Sequence, residues 1–342
     1  MRCRRFQSVI LATVLLAWAA VPGAAADNPA CAPGPLKLAS FNIQFLGSSA
    51  KRDNDGLADL VKDQDIVLVQ ELVAPPFAGS FPPNPDGTVD PYRPDPQAAA
   101  FFEAMRRRGF SWTMSEEDTG TGDQIHVNSN ATEWWVAFYK PQAALPATDL
   151  PGGFLAVDRS NHPDYERVPF AFPFRSCSGA LDFVLVSVHL EPDANPAGRE
   201  RRRHEIASIA KWIASQAGKP ERDYLIVGDT NIQDCGELAE ATPPGYRSLN
   251  STCVPTNTNV NGPKPYDHVL YRPAATDREI DQSFGFKVVG LVEAMRGRWS
   301  EVGTGPYPGG PQPEYDHNAF RQVYSDHSPV LFQMVITGAD DD

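Results

Sequence analysis

The chain has 342 residues, 42% of them hydrophobic and 21% charged, with a formal charge of −13. That length supplies one large α/β domain or two small ones, and so acidic a balance excludes a protein that coats nucleic acid non-specifically. A phosphate ester stays admissible as a ligand where metal ions and local arginines supply the positive charge.

Residues 1–26 read as a secretory signal peptide and stand outside the fold. Arg2, Arg4 and Arg5 form a charged start, Val9 to Val21 is an apolar run, and Ala24, Ala25 and Ala26 offer a small-residue cleavage site. The run is too short for a comfortable membrane span; an uncleaved anchor is the alternative. Cleavage leaves about 316 residues, a charge of −16 after loss of the three arginines, and Cys31, Cys177, Cys235 and Cys253. An even cysteine count in an exported chain implies two disulfides, with three connectivities open. Cys235–Cys253 closes a short loop and is favoured, which leaves Cys31–Cys177 by elimination. None of the cysteines has the spacing of a metal site. The expected location is secreted or periplasmic.

In chain order, Leu36–Ile43 alternates and reads as a strand ending at Asn42, and a helix follows near Asp55–Lys62. Asp65–Glu71 is nearly continuous in apolar residues, as in a strand covered on both faces, and ends on Glu71. Residues 74–96 hold eight prolines and read as a long surface loop, because strand signals resume after it. Pro96–Arg108 reads as a helix with Phe101, Phe102 and Met105 on its apolar side, and 115–131 as a further loop. Glu133–Lys140 is a strand that opens with a carboxylate and holds Trp134 and Trp135 in its interior. Asp164–Phe174 contains Arg167-Val168-Pro169 and then alternating aromatics.

Leu181–Leu190 is another buried strand, with His189 near its carboxyl end. Arg199–Ser215 reads as a helix whose stripe Ile206, Ile209, Ala210, Ile213 faces inward, with Arg201 to Arg203 on the solvated side. Tyr224–Val227 is a short buried strand ending at Gly228, and Asp229 and Asn231 follow at once. The carboxyl end of such a strand is where ligands collect. There an Asp accepts a proton or orients a water, and an Asn donates to an oxyanion. Residues 254–265 read as a loop, Tyr266–Tyr271 as a strand opening with Asp267, and 300–319 as a Pro/Gly-rich loop. A turn at Ser325-Asp326-His327 precedes the last strand, and the tail at 340–342 is expected to fray. No internal repeat and no shift of composition divides residues 27–342, so a single domain is expected.

Each of these elements supplies one or two of Asn42, Glu71, Glu133, His189, Asp229, Asn231, Asp267, Asp326 and His327. Carboxylate and amide oxygens suit a hard cation such as Mg²⁺ or Mn²⁺ rather than zinc. Two histidines with carboxylates nearby suit proton transfer. Together they form the inventory for metal-assisted hydrolysis of a phosphate ester.

The ordered motifs Phe41-Asn42, Gln70-Glu71, Ser187-Val188-His189, Gly228-Asp229-Thr230-Asn231, Asp267 and Ser325-Asp326-His327-Ser328-Pro329 resemble the endonuclease/exonuclease/phosphatase superfamily over about residues 36–334. The likeness is greatest to deoxyribonuclease I-like nucleases, on Glu133 to Pro141 and on Arg167-Val168-Pro169. It implies a four-layered α/β sandwich of two packed, mainly antiparallel sheets flanked by helices. It implies two pairs, His189 with Glu133 and His327 with Asp267, and a metal held by Glu71 with Asn42 and Asp326. In that scheme Asp229 orients water, Asn231 stabilises phosphoryl charge and Arg167 meets a backbone phosphate.

The leading expectation is an exported, metal-dependent endonuclease acting on DNA, with no stable protein partner implied. The enzymatic alternative is a sphingomyelinase-like phosphodiesterase, which would need an exposed aromatic hairpin to enter a bilayer. The remaining alternative is a catalytically dead binding module, disfavoured because no expected catalytic position is lost.

Overall fold

Alternation decides the architecture. In a strand, residues two apart share a face, and here both faces of most strands are apolar, so the sheets must be covered on both sides. The principal strands are β1 (Leu36–Leu46), β2 (Ile66–Leu72), β3 (Ser111–Met114), β4 (Trp134–Tyr139), β5 (Ala144–Pro146), β6 (Phe170–Ser176), β7 (Asp182–His189), β8 (Tyr224–Asp229), β9 (Asp267–Tyr271) and β10 (Val330–Met334). The principal helices are α1 (Asn54–Val61), α2 (Pro96–Arg107), α3 (Pro196–Ser215), α4 (Cys235–Ala241) and α5 (His317–Val323). The structure is a computed structural model that describes residues 31–48, 51–121, 125–219, 221–302, 306–308 and 315–336. The signal peptide expected at 1–26 and the tail at 340–342 lie outside these residues.

One sheet runs β10-β1-β2-β4-β3, with Lys287–Val288 on its β10 edge, and the other runs β9-β8-β7-β6-β5, with Arg247–Ser248 on its β9 edge. β1 pairs β2 in parallel and β7 pairs β8 in parallel, while the other neighbours in this order are antiparallel. The mixed α/β sandwich with mainly antiparallel sheets is therefore the observed fold. Leu38, Leu68 and Trp135 from one sheet meet Phe172, Phe183, Leu185, Leu225 and Val227 from the other in the central layer. Outside the first sheet lie Leu57 of α1, Phe101 and Met105 of α2 and Phe320 of α5. Outside the second lie Ile206, Ile209 and Ile213 of α3 and Leu238 of α4. Each fully buried side chain of this size contributes about 1.5–3 kcal/mol.

A polar contact crosses the central layer beneath the strand ends. Gln70 Oε1 accepts from Ser40 Oγ (3.2 Å) and Gln70 Nε2 donates to Ser187 Oγ (3.2 Å), joining β1, β2 and β7. Gly228 lies beside it with φ +143°, and a Cβ there would stand 2.2 Å from the Val188 carbonyl oxygen and 3.2 Å from Gln70 Nε2. Only glycine fits that approach.

Several expectations are corrected. α3 begins at Pro196 rather than Arg199, because Asn195 caps it by accepting from Gly198 N and proline favours the first turn. Arg202 is not on a solvated face: it is fully buried, four residues before Ile206 on the same stripe. Its Nε donates to Glu237 Oε1 (2.7 Å), and its Nη1 donates to both the Glu191 and Asp193 carbonyls (2.9 and 2.6 Å). Burial is tolerated because the charge is paired. The 74–96 loop carries a short hairpin, Gly79–Ser80 with Pro91–Tyr92, that seats Phe81 and Tyr92 against Trp134. The 300–319 segment is helical at both ends, in Trp299–Val302 and in α5. Arg167-Val168-Pro169 precedes its strand, which starts at Phe170.

Trp134 and Trp135 are both buried, as a strand interior requires. Among the described residues no helix is long and apolar enough to cross a membrane. Cys31 is bonded to Cys177 and Cys235 to Cys253, at separations of 146 and 18 residues. The longer loop removes more freedom from the unfolded chain. Replacing Cys31 and Cys177 by serine is therefore expected to cost about 5 kcal/mol, and replacing Cys235 and Cys253 about 3 kcal/mol. Urea unfolding of the two double variants measures this, and a larger loss from the shorter loop would contradict it.

Candidate active site

The inner-face alternation that packs the sheets also delivers polar residues to one end of the sandwich. Along β1 the face that holds Leu38 and Ser40 ends at Asn42; along β7, Leu185 and Ser187 lead to His189; along β8, Leu225 and Val227 lead to Asp229. β9 starts with Asp267 on the face of Val269. β8 and β9 are antiparallel, and Asp229 is paired with Asp267 across them.

Glu71 does not follow the alternation. Gln70 already occupies the inner face, so its neighbour would point at the helices. A register shift between Val69 and Leu72 and a backbone φ of +62° turn Glu71 inward instead. Such a conformation costs a non-glycine residue about 1–3 kcal/mol, and the surroundings must hold it in place. They do: Glu71 N donates to Glu133 Oε2 (3.0 Å), Phe45 N donates to Glu71 Oε2 (2.9 Å), and Asn42 Nδ2 donates to Glu71 Oε1 (2.8 Å).

The centre is one oxygen. Asp229 Oδ2 accepts from Asn42 Nδ2 (2.9 Å) and lies 3.5 Å from His189 Nε2 and 3.4 Å from His327 Nε2. Behind each ring stands another carboxylate. His189 Nδ1 is 2.7 Å from Glu133 Oε1, and His327 Nδ1 is 2.8 Å from Asp267 Oδ2. Burial and Arg167 oppose the charge on His189, but Glu133 and Asp229 outweigh them and hold the imidazole above its ordinary range. Burial also opposes charge on His327, and Asp267 and Asp229 raise it well above that range. Burial alone would raise Glu133, yet His189 and Arg167 hold it down at about 2.

The remaining expected residues lie around this centre. Arg167 Nε is 2.9 Å from Glu133 Oε1, and the side chain is 12% exposed, so its guanidinium is spent first on that carboxylate. Asn231, at φ +54°, donates through Nδ2 to the Leu190 carbonyl (3.0 Å), while Asp229 Oδ1 accepts from Asn231 N (2.8 Å). The second Nδ2 proton stays available to a ligand. Asp326 is partly exposed, 3.6 Å from Arg321, and its Oδ1 is buried without a hydrogen bond.

Burial pushes the Glu71 carboxyl up to about 7; Asp326 and Glu133 add to the rise and His189 opposes it. Two carboxylates that burden each other in this way, both oxygen donors, fit a hard divalent cation, which would relieve the repulsion. Asp229, Asp267 and His327 also offer ligand atoms within 4.8 Å of one another. There Asp267 Oδ2 is already engaged by His327 Nδ1 and by Thr256 Oγ1 (2.6 Å). Asp267 Oδ1, like Asp326 Oδ1, is buried without a hydrogen bond, so the trio and the Glu71–Asp326 pair with Asn42 both offer oxygen donors that could hold a cation.

Three residues at the site, Thr256, Arg52 and Glu205, escaped the sequence reading, and Ser325, already part of the last motif, gains its role only here. Thr256 holds Asp267 from what reads as a featureless loop. Ser325 Oγ donates to the Asn42 carbonyl (2.8 Å) and accepts from His327 N (3.0 Å), tying the turn to β1. Arg52 donates to the carbonyls of Ile43, Gln44 and Tyr324, beside Glu71 and Asp326, and burial lowers it to about 10. Glu205, on α3, accepts from Glu166 N (2.8 Å) and Glu191 N (2.9 Å), clasping the loops that carry Arg167 and follow His189. Thr256, Arg52 and Glu205 carry no local motif, because packing and not a local pattern chooses their partners.

Residues 39–327 match the model of the Endonuclease/Exonuclease/phosphatase family, and the chain belongs to that family. A relative named Deoxyribonuclease, from Thioalkalivibrio sp. (strain K90mix), is 24% identical over 205 residues, which is 60% of this chain and 48% of that protein. The chain thus spans about half the length of the relative it matches. The fold is shared with D. rerio TDP2 complexed with single strand DNA product, at a TM-score of 0.52 and 14% identity over 88% of this chain and 98% of that one. It is shared equally with an endonuclease/exonuclease/phosphatase family protein from Bacteroides thetaiotaomicron, at 0.52 and 13% over 89% and 99%.

Glu205 yields a pH prediction. Burial raises its carboxyl to about 7, above the unfolded value, with the Glu166 and Glu191 amides opposing. Its contribution to stability is therefore complete below about pH 4.5 and is lost as pH rises through 7. Glu205→Gln is expected to flatten the stability profile over that window by up to about 3 kcal/mol. Urea unfolding of both proteins between pH 4.5 and 8 measures it, and parallel profiles would contradict it.

Proposed function

We propose that this protein is an exported, divalent-metal-dependent phosphodiesterase that hydrolyses DNA, with residues 27–342 as one catalytic domain behind a signal peptide at 1–26. The observation that carries the reading is the placement of two carboxylate-backed imidazoles on either side of Asp229 Oδ2. A phosphodiester needs a proton removed on one side and charge stabilised on the other. Asp229 is placed to orient the attacking water, and His189 and His327 address the phosphate from different directions. Glu133 and Asp267 fix each ring's tautomer through Nδ1, leaving both Nε2 atoms towards the reaction. Asn231 offers its free amide proton to a phosphoryl oxygen, and Arg167 adds positive charge beside Glu133. Glu71 and Asp326, with Asn42, would hold Mg²⁺ or Mn²⁺, which supplies a Lewis acid for the phosphoryl oxygens. Trp134 and Trp135 are buried, which withdraws that pair from a sphingomyelinase-like reading. The two disulfides suit an oxidising compartment.

Purified protein should nick plasmid DNA with Mg²⁺ and not with EDTA, and should leave sphingomyelin intact. His189→Ala and His327→Ala should each lower the rate about 10²–10³-fold, and the double variant far less than the product, because the groups act together. Glu71→Gln should lower it comparably and weaken the Mg²⁺ dependence, and Glu133→Gln should cost less than His189→Ala. Near-wild-type rates for both histidine variants would return the binding-module reading.

A further inference from the structure

Beside the Glu71–Asp326 pair lies a cavity of about 180 Å³ to which the scheme above gives no role. Gln44, Phe45, Arg52, Arg321 and Gln322 line it. It adjoins the reaction centre directly: Phe45 N donates to Glu71 Oε2 (2.9 Å), and Arg321 lies 3.6 Å from Asp326. Gln44 and Phe45 are both in the left-handed region, at φ +53° and +51°. Two successive strained residues carry a combined cost, at about 1–3 kcal/mol each, and at Phe45 the result is a large apolar ring left 38% exposed at the rim of a charged site. Gln44 is 5% exposed, yet its Oε1 is buried with no hydrogen-bond partner. An aromatic face, an unanswered acceptor and guanidinium groups therefore share one small space next to the scissile position.

We infer that this cavity is a subsite for a single nucleobase, unstacked from its strand, belonging to the nucleotide next to the scissile phosphate. The inference rests on the DNA-hydrolysing reading and deepens it. A second phosphate fits poorly, because the Gln44 acceptor would face its oxygens and the Phe45 ring would add nothing. An acyl chain fits poorly among two arginines and two amides. A base offers a π face to Phe45 and an N–H to Gln44 Oε1, and stacking of this kind tolerates every base. A base held in a duplex cannot reach the cavity without leaving its stack. Single-stranded or frayed DNA is therefore cut faster than intact duplex.

The test uses the full mature chain, Mg²⁺ and a set of single-stranded oligonucleotides in which each position in turn is an abasic tetrahydrofuran residue. Cut sites are mapped on a sequencing gel. In the wild type, the abasic residue should suppress cleavage at one adjoining bond about tenfold, within the range of base–aromatic stacking. Phe45→Ala should lower cleavage at all other bonds by a similar factor and abolish the extra abasic effect, and Phe45→Trp should restore it. Circular dichroism of the variants confirms folding, which the exposure of Phe45 favours. If the wild type cuts DNA and the abasic residue changes nothing, or if Phe45→Ala keeps the abasic effect, the subsite is overturned while the nuclease reading stands. If the folded wild type cuts neither single-stranded nor duplex DNA, both fall together.

Discussion

The site depends on the register between the two sheets, and Gln70 sets it. Asn42, Glu71 and Glu133 come from one sheet, and His189, Asp229 and Asp267 from the other. An apolar interface between sheets tolerates sliding, since hydrophobic contact is non-directional. Hydrogen bonds are directional, and a buried amide left unpaired costs about 1–3 kcal/mol. The contacts Ser40–Gln70–Ser187 therefore admit one alignment, and they sit one or two residues behind Asn42, Glu71 and His189. Gly228 belongs to the same device, because its missing side chain lets β8 close against β7 beneath Asp229.

The site itself is ordered by alternation of charge. Arg167 meets Glu133, Glu133 meets His189, His189 meets Asp229, Asp229 meets His327, and His327 meets Asp267. Each buried charge has an opposite neighbour, which is the condition under which burial is tolerated. The chain of contacts leaves Glu71 and Asp326 outside it, two carboxylates whose repulsion is opposed by His189 at Glu71, by Arg321 at Asp326 and by Arg52, itself held by three carbonyls. That imbalance is what makes the cation reading physical rather than compositional.

A net charge of −13 and the polyanionic substrate proposed above stand in apparent conflict. Screening resolves it: at physiological salt, charges more than about 8 Å apart act weakly on one another. Local groups then decide binding, and Arg52, Arg167 and Arg321 lie near the site, while surface carboxylates elsewhere are met by their own arginines, as in Glu103–Arg106 and Glu200–Arg203.

The sequence by itself determined the strand ends. Asn42, His189 and Asp229 close alternating apolar runs, and period-two geometry sends them to the same face as the core residues before them. The pairing of Cys235 with Cys253 was legible from loop length, and the order of motifs was enough to show the family's fold. Tertiary structure decided the rest. Glu71 faces the site only because a bulge and a left-handed backbone reverse its strand position, and a preference of that size is set by neighbours distant in sequence. Arg202 reads as surface, yet it is buried because Glu237 and two carbonyls meet it there. Arg52 and Glu205 hold backbone groups, which have no sequence signature, and Thr256 holds Asp267 from a loop that shows no pattern. Local pattern fixes which face a side chain takes; only packing brings together partners that lie far apart in the chain, and it is those partners that set the charge and orientation of the site.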